Sequence, residues 1–142
     1  MNPTTTFENL PFEKMFGIAE KFYGTSLDPD QIPINSESLK KLQKISPYCF
    51  NCALDGNHNP VSWVVCIPTT KSLMGDFISN KITEKQMFDQ TPISEKYDAL
   101  YICSALTITE YRRKGLVKRL FEISIKKFQE MYPDIQLFAW PY

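Results

Sequence analysis

All three arginines of this 142-residue chain fall within residues 110–120, where a glycine separates them. Arg112, Arg113 and Lys114 come directly before Gly115, and Lys118 follows one helical turn later. The stretch lies where an apolar, strand-like segment ends and a helical pattern begins. Backbone N–H groups at a helix start lack intrahelical partners and carry partial positive charge, so an anion is favoured there.

Basic side chains at a helix start oppose the helix dipole and cost local stability unless an anion binds. Residues 112–118 are therefore a candidate phosphate-binding site, and a solvated basic helix face is the alternative. The chain contains neither G-x-x-x-x-G-K-[ST] nor G-x-G-x-x-G, which excludes the P-loop and dinucleotide fingerprints.

Charge and composition exclude further classes of function. Sixteen basic residues balance sixteen acidic ones, so no overall field attracts the chain to nucleic acid or to an anionic membrane. Nucleic-acid binding through the basic helix is also disfavoured, because the helix stripe assigns Phe121 and Phe128 to the core. The N-terminus has no secretory pattern, and the longest apolar run, VSWVVCI, is too short to cross a bilayer. We expect a cytoplasmic, single-domain protein over residues 1–142 with no membrane partner.

The four cysteines indicate buried thiols rather than a metal or redox centre. Cys49 and Cys52 form a C-x-x-C pair, while Cys66 and Cys103 stand alone. Strand-like alternation is expected to direct Cys49 and Cys52 to opposite faces, and the only histidine, His58, lies in a turn-rich stretch. No metal site is expected.

Hydrophobic periodicity predicts an alternation of helices and strands. Asn35 or Ser36 is expected to cap the second helix, and Thr83 and Glu84 to open a later one. Helices are predicted within residues 7–24, 34–48, 69–89 and 114–132. Strands are predicted at residues 48–54, 60–67, 97–108 and 134–140. The apolar stripe of the first helix comprises Phe12, Phe16, Ala19 and Phe22. That of the last helix comprises Leu116, Val117, Leu120, Phe121, Phe128 and Met131.

The strand order predicts a mixed sheet. Residues 48–54 and 60–67 read as a hairpin around the turn at 55–59. Residues 97–108 read as the central strand, and the following helix and strand form a βαβ crossover of usual length, so the last two strands should be parallel. The fold class is α/β (α+β), with helices packed on the sheet.

The stretch SALTITEYRRKGLVKRLFE resembles the acetyl-CoA-binding motif of the GCN5-related N-acetyltransferases (GNAT superfamily). Residues 112–117 occupy the six positions of [QR]-x-x-G-x-[GA], and Leu106, Thr107 and Ile108 take the end of the preceding strand. The resemblance implies that N–H groups from Arg113 to Lys118, which include Leu116, cradle the pyrophosphate of coenzyme A. The backbone near 106–108 would pair with the pantetheine arm.

The chain also differs from that family. Val117 stands where glycine or alanine is usual, and the strand before the motif carries no carboxylate to act as general base. The family's later helix and two further strands are not found before Tyr142, and the chain is expected to begin with a helix instead of the first strand. By location alone, Tyr101, Cys103 and Tyr142 are candidates for the acid, and the general acid and base remain unassigned.

These observations lead to two hypotheses of different class. The first is an N-acetyltransferase that uses acetyl-CoA as co-substrate and a small-molecule or peptide amine as acceptor. The second is a non-catalytic acyl-CoA-binding or protein-interaction module with the same fold. Because the predicted last strand is apolar and lies at a sheet edge, we also expect either a homodimer through that edge or cover from the N-terminal helices.

Overall fold

The computed structural model describes residues 3–23, 29–33 and 35–140, and its five strands form one sheet in the order β1-β2-β3-β4-β5. The strands are β1 (Thr4–Thr6), β2 (Phe50–Leu54), β3 (Pro60–Thr69), β4 (Ala99–Thr107) and β5 (Gln136–Ala139). The helices are α1 (Phe12–Tyr23), α2 (Ser36–Ile45), α3 (Lys71–Ile78), α4 (Glu84–Gln90) and α5 (Leu116–Met131). The first four strands are antiparallel and β4 and β5 are parallel, which confirms the predicted mixed sheet.

Helices cover both faces of this sheet. One face carries a hydrophobic cluster to which α1, α2, α3 and α4 all contribute, centred on β3 side chains such as Trp63 and Val65. The other face packs against α5 through two smaller clusters that include Leu120 and Phe128. This layering buries all ten residues of β3.

The helix starts and the hairpin agree with the sequence-based predictions. Asn35 caps α2 by accepting from the Ser38 N–H at 2.9 Å, and Thr83 and Gln86 form a capping box at the start of α4. In the 55–59 turn, His58 adopts a φ of 62° and is exposed. Its Nε2 lies 3.2 Å from the Asn9 carbonyl oxygen, as suits a turn residue.

Two predictions about the strands were wrong. The chain does begin with a strand, because β1 pairs with β2 from Thr4 opposite Leu54 to Thr6 opposite Cys52. Three threonines are too short a run to show alternation, although their β-branched side chains suit a strand. The middle strand is β3, and β4 lies second from the edge, since β5 is the last strand of the described sheet.

Both predicted helix stripes were confirmed in part. In α1 the buried residues are Met15 and Ala19, four apart on one face, and Phe22 is 44% exposed. In α5 the buried face runs through Leu116, Leu120, Ser124 and Phe128. Met131 is 38% exposed at the end of that helix.

The four cysteines are free thiols, and Cys49, Cys52 and Cys66 are buried, which confirms the prediction of buried thiols. Cys49 and Cys52 both belong to the cluster under α1–α4, so the expectation that they face opposite sides of the sheet was wrong. Burial raises the pKa of Cys52 and of Cys66 to about 12. Among the described residues, no three potential metal ligands lie together, and no helix has the length and apolar character needed to cross a membrane.

Candidate functional site

The turn between β4 and α5 contains two left-handed backbone conformations. A short 3-10 turn (Thr109–Tyr111) follows β4, and Arg113 then adopts a φ of 64°. Gly115 is the N-cap residue of α5 with a φ of 73°, a conformation that glycine adopts without the steric cost of a Cβ. No side chain caps this helix start.

The open start of α5 presents backbone donors to a small cavity. The Arg119 N–H donates to the Gly115 carbonyl at 3.1 Å, so the N–H groups of residues 116–118 precede the helical hydrogen-bond pattern. A cavity of about 150 Å³ lies against this turn. It is lined by Thr107, Tyr111, Arg112, Arg113, Gly115, Leu116, Val117 and Lys118. We call this surface the anion turn.

Two basic side chains of the stretch have partners within the chain. The Arg112 Nε donates to the Thr107 carbonyl at 3.1 Å, and its guanidinium lies 5.1 Å from the centre of the Phe22 ring. The Lys114 ammonium lies 5.2 Å from the centre of the Tyr111 ring. Arg113 and Lys118 are exposed and border the anion turn, so they are the side chains placed to meet a bound anion.

The last part of β4 extends past β5. The parallel ladder ends where Ile102 pairs with Ala139, whereas β4 continues to Thr107. The register with β3 shifts between the pairs Cys66–Ile102 and Val65–Ser104, which makes Cys103 the extra residue of a β-bulge. A bulge bends its strand and re-aims the side chains, and such features occur beside binding sites.

The backbone groups of Ile108 have hydrogen-bond partners within the protein. Its N–H donates to the Val61 carbonyl at 3.0 Å, and its carbonyl accepts from the Tyr111 N–H at 3.0 Å. Both backbone groups are thus used within the protein, because the strand curls into the 3-10 turn at this point. The segment of β4 that extends past β5 and precedes the turn comprises residues 103–107.

A second cavity, of about 100 Å³, lies beside residues 103–106 on the face covered by α1 and α2. It is lined by Met15, Phe16, Ala19, Pro33, Asn35, Ser38, Leu39, Leu42, Phe50, Trp63, Val65, Ile67, Cys103, Ser104, Ala105 and Leu106. Among the described residues, the lining contains no carboxylate, ammonium, guanidinium or imidazole group. We call this space the apolar cavity.

The three candidates for the acid differ in their positions in the structure. Cys103 borders the apolar cavity, and burial, reinforced by Glu84, raises the pKa of its thiol well above the ordinary value. The thiol therefore stays neutral and is unsuited as a nucleophile. Tyr101 is 1% exposed and packs between aromatic rings, with ring centres 5.3 Å from Phe77 and 5.2 Å from Phe138. Tyr142 lies outside the described residues.

Sequence reasoning missed a buried carboxylate next to β4. Glu84, the first residue of α4, accepts a hydrogen bond from the Tyr101 hydroxyl and another from the Ile32 N–H at 2.9 Å. The sequence predicted that Glu84 opens a helix, and an acidic residue in a first turn is ordinarily solvated. Only the packing of α4 on the sheet, which brings two donors to the carboxylate, indicates its buried position.

Comparisons with known proteins identify the fold through solved structures. No family model matches the sequence, and no curated protein matches it significantly. An aminoglycoside acetyltransferase, meta-AAC0020, from an uncultured soil metagenomic sample is 20% identical, with a TM-score of 0.57 over 98% of this chain and 76% of that chain.

Two other solved structures share the same architecture. The NatC complex bound to Gag peptide and CoA is 18% identical, with a TM-score of 0.56 over 92% of this chain and 69% of that chain. A ribosomal-protein-alanine N-acetyltransferase from Brucella melitensis biovar Abortus 2308 is 14% identical, with a TM-score of 0.52 over 96% of this chain and 78% of that chain. At these identities the likeness establishes the fold.

Proposed function

We propose that this chain, which has the fold of the GCN5-related N-acetyltransferases, transfers an acetyl group from acetyl-CoA to an amine. The main support for the proposal is that two structural features adjoin each other along the chain. The open start of α5 at Gly115 follows directly on the part of β4 that extends past β5. One elongated ligand with an anionic group at one end can occupy both.

Coenzyme A has that shape. Its pyrophosphate lies at the N–H groups of residues 116–118, next to the exposed side chains of Arg113 and Lys118. Its pantetheine arm runs along β4 from Thr107 towards Cys103, a distance of about 13 Å at the rise of an extended strand. The thioester then lies near the bulge at Cys103.

The chemistry needs little more than this arrangement. The amine nitrogen attacks the thioester carbonyl, the C–N bond forms, and the C–S bond breaks to release the CoA thiolate. The amine loses one proton and the thiolate gains one, so the protons balance through water without a protein acid. Binding both reactants in one site supplies much of the acceleration, and a backbone N–H of β4 beside the thioester polarises the carbonyl.

The direct test is titration calorimetry with CoA and acetyl-CoA. We expect the variant Arg113→Ala plus Lys118→Ala to bind acetyl-CoA roughly 30- to 100-fold more weakly, because two charge-assisted contacts are lost. The matched control is Lys44→Ala plus Lys126→Ala, which removes the same charge from exposed positions outside the anion turn. Equal affinity in both variants would remove the anion turn from the proposal.

Turnover is tested by release of free CoA thiol in the presence of amines. The structural neighbours suggest the panel, since their names include an aminoglycoside acetyltransferase, a complex with a peptide, and a ribosomal-protein-alanine N-acetyltransferase. We expect thiol release with at least one of these amine classes. Acetyl-CoA binding without release for any of them would instead identify the non-catalytic acyl-CoA-binding module.

A further inference from the structure

The apolar cavity begins where the proposed thioester position ends. Its β4 residues, 103–106, directly precede Thr107, which borders the anion turn. A ligand held at the anion turn and extended along β4 therefore arrives at the mouth of the apolar cavity. Any role of this cavity in binding the acyl group rests on the proposed function, because the acyl group belongs to the same bound thioester.

Buried residues form the inner wall of the apolar cavity. Met15 is 1% exposed and Ile67 is 3% exposed, so they form part of its buried wall. Ser104 and Asn35 are exposed and mark its mouth. The cavity thus opens beside the bulge in β4 and extends inward between the sheet and the two N-terminal helices.

The size of the cavity exceeds what an acetyl group fills. An apolar protein cavity of about 150 Å³ binds benzene, which has six carbon atoms. On the same scale, the volume of about 100 Å³ matches roughly four carbon atoms. Acetyl places one methyl group beyond the carbonyl carbon, which leaves most of this volume empty.

We propose that the apolar cavity is an acyl-chain pocket, and that the preferred donor is a short straight-chain acyl-CoA of about four carbons rather than acetyl-CoA. The chain lies between α1, α2 and β3, and the transfer itself is unchanged, since the amine nitrogen replaces the thioester sulfur on the carbonyl carbon. The leaving CoA thiolate takes up the proton that the amine loses.

Because none of its described lining residues is charged, the apolar cavity suits an acyl chain better than an amine acceptor. Amines are mostly protonated in water, and an ammonium group buried without an anionic partner is strongly disfavoured. The described residues that line the apolar cavity offer no carboxylate to such a group. A hydrocarbon chain needs none and gains from leaving water.

The test is a titration series of the full chain with CoA, acetyl-CoA, butyryl-CoA and octanoyl-CoA. Each buried methylene should raise affinity about fourfold, so butyryl-CoA should bind roughly 15-fold more tightly than acetyl-CoA. Octanoyl-CoA should show no further gain of this size, because its chain exceeds the cavity. Equal affinity for acetyl-CoA and butyryl-CoA, with CoA itself bound, overturns the acyl-chain pocket and leaves the proposed function intact. Absence of binding by all four ligands overturns both.

A variant that fills the cavity gives an independent readout. Ala19→Leu adds three carbon atoms to the cavity from α1, and Ser38→Leu does so from α2, in case the first variant folds poorly. We expect either variant to abolish the gain from acetyl-CoA to butyryl-CoA while free CoA binds within twofold of the unaltered protein. A butyryl gain that persists in folded samples of both variants would mean that the chain lies elsewhere, and it would overturn the proposal.

Discussion

The anion turn and the apolar cavity are opposite in every physical respect, although one strand joins them. The anion turn is exposed and basic, and its donors are backbone N–H groups fixed by the conformations of Arg113 and Gly115. The apolar cavity is walled by buried side chains from two helices and three strands, and none of the described lining residues is charged. Thr107 borders the first and Leu106 borders the second.

This difference separates what holds a ligand from what selects it. Attraction between exposed charges weakens with salt, whereas burial of hydrocarbon does not. In a CoA thioester, the pyrophosphate end is the same for every donor and the acyl end varies. The anion turn can therefore supply common affinity, and the apolar cavity can discriminate between donors.

The largest effect of a single substitution is expected on the cavity side, from the buried Glu84 carboxylate. Glu84→Ala removes the acceptor that the Tyr101 hydroxyl and the Ile32 N–H share, and each buried hydrogen bond lost in this way costs about 1–3 kcal/mol. We expect the free energy of unfolding to fall by about 4 kcal/mol in urea denaturation. Arg113→Ala, in the exposed anion turn, should change it by less than about 0.5 kcal/mol.

A matched variant distinguishes loss of hydrogen bonds from loss of bulk. Glu84→Gln keeps the size of the side chain and one carbonyl acceptor, and it should recover roughly half of the lost free energy of unfolding. If Glu84→Ala lowers the free energy of unfolding no more than Arg113→Ala does, the carboxylate does not anchor α4. The two regions then do not differ in their contribution to stability.

Alkaline pH should also lower the free energy of unfolding, through the buried thiols. Burial raises the pKa of Cys52 and Cys66 from the ordinary value of 9.0 to about 12, and it raises the pKa of Cys49 and of Cys103 as well. Below pH 9 these thiols are neutral in both states. Above it the unfolded chain ionises while the folded chain does not, so the free energy of unfolding falls from pH 9 towards 12.

At pH 10 the loss is about 1.4 kcal/mol per thiol, or about 5–6 kcal/mol for the four. Urea denaturation at pH 8, 9 and 10 measures it, and Cys66→Ala should reduce the pH dependence by roughly one quarter. A free energy of unfolding that stays level from pH 8 to pH 10 in both proteins would mean that the thiols are accessible to water in the folded state.

The same contrast explains which parts the sequence could predict. The anion turn is built from contiguous residues, so the pattern from Arg112 to Lys118, with Gly115 within it, could be located without a structure. The hairpin and the βαβ crossover followed from local periodicity and turn chemistry for the same reason. Each depends on interactions that are short in sequence.

The parts that sequence reasoning missed depend on contacts between distant segments. The apolar cavity joins Met15 of α1 to Leu106 of β4, and the Glu84–Tyr101 hydrogen bond joins α4 to β4. Neither pairing leaves a local pattern. The short strand β1 was missed because its stability comes from the pairing with β2 rather than from its own sequence.

An intermediate effect is expected at the anion turn itself. Gly115→Ala places a Cβ on a residue with a φ of 73°, which costs about 1–2 kcal/mol, although no atom lies within 4 Å of the added Cβ. Thermal unfolding should show this loss, and acetyl-CoA affinity should fall because the N–H groups of residues 116–118 shift. Gly115→Asn should be milder, since Asn tolerates this conformation.

The control for that substitution is Gly56→Ala. Gly56 also has open space around an added Cβ, but its backbone lies outside the left-handed region. It should therefore unfold and bind acetyl-CoA like the unaltered protein. Equal behaviour of the two alanine variants would show that the left-handed conformation of Gly115 is not what shapes the anion turn.

The smallest effect concerns a contact that links the two regions. Phe22 lies near the end of α1, a helix that walls the apolar cavity, and its ring faces the Arg112 guanidinium of the anion turn at 5.1 Å. Phe22 is 44% exposed, so the cation–π contact is worth about 0.5 kcal/mol. A double-mutant cycle with Phe22→Leu and Arg112→Gln should return a coupling energy of about that size in urea denaturation. Leucine keeps an apolar side chain without the ring, and the Arg112 bond to Thr107 is removed identically in both arms of the cycle.

A coupling of about 2 kcal/mol or more would mean that α1 and the anion turn respond as one unit. Filling the cavity would then also weaken binding of free CoA, and affinity and selectivity would not be separable in this protein.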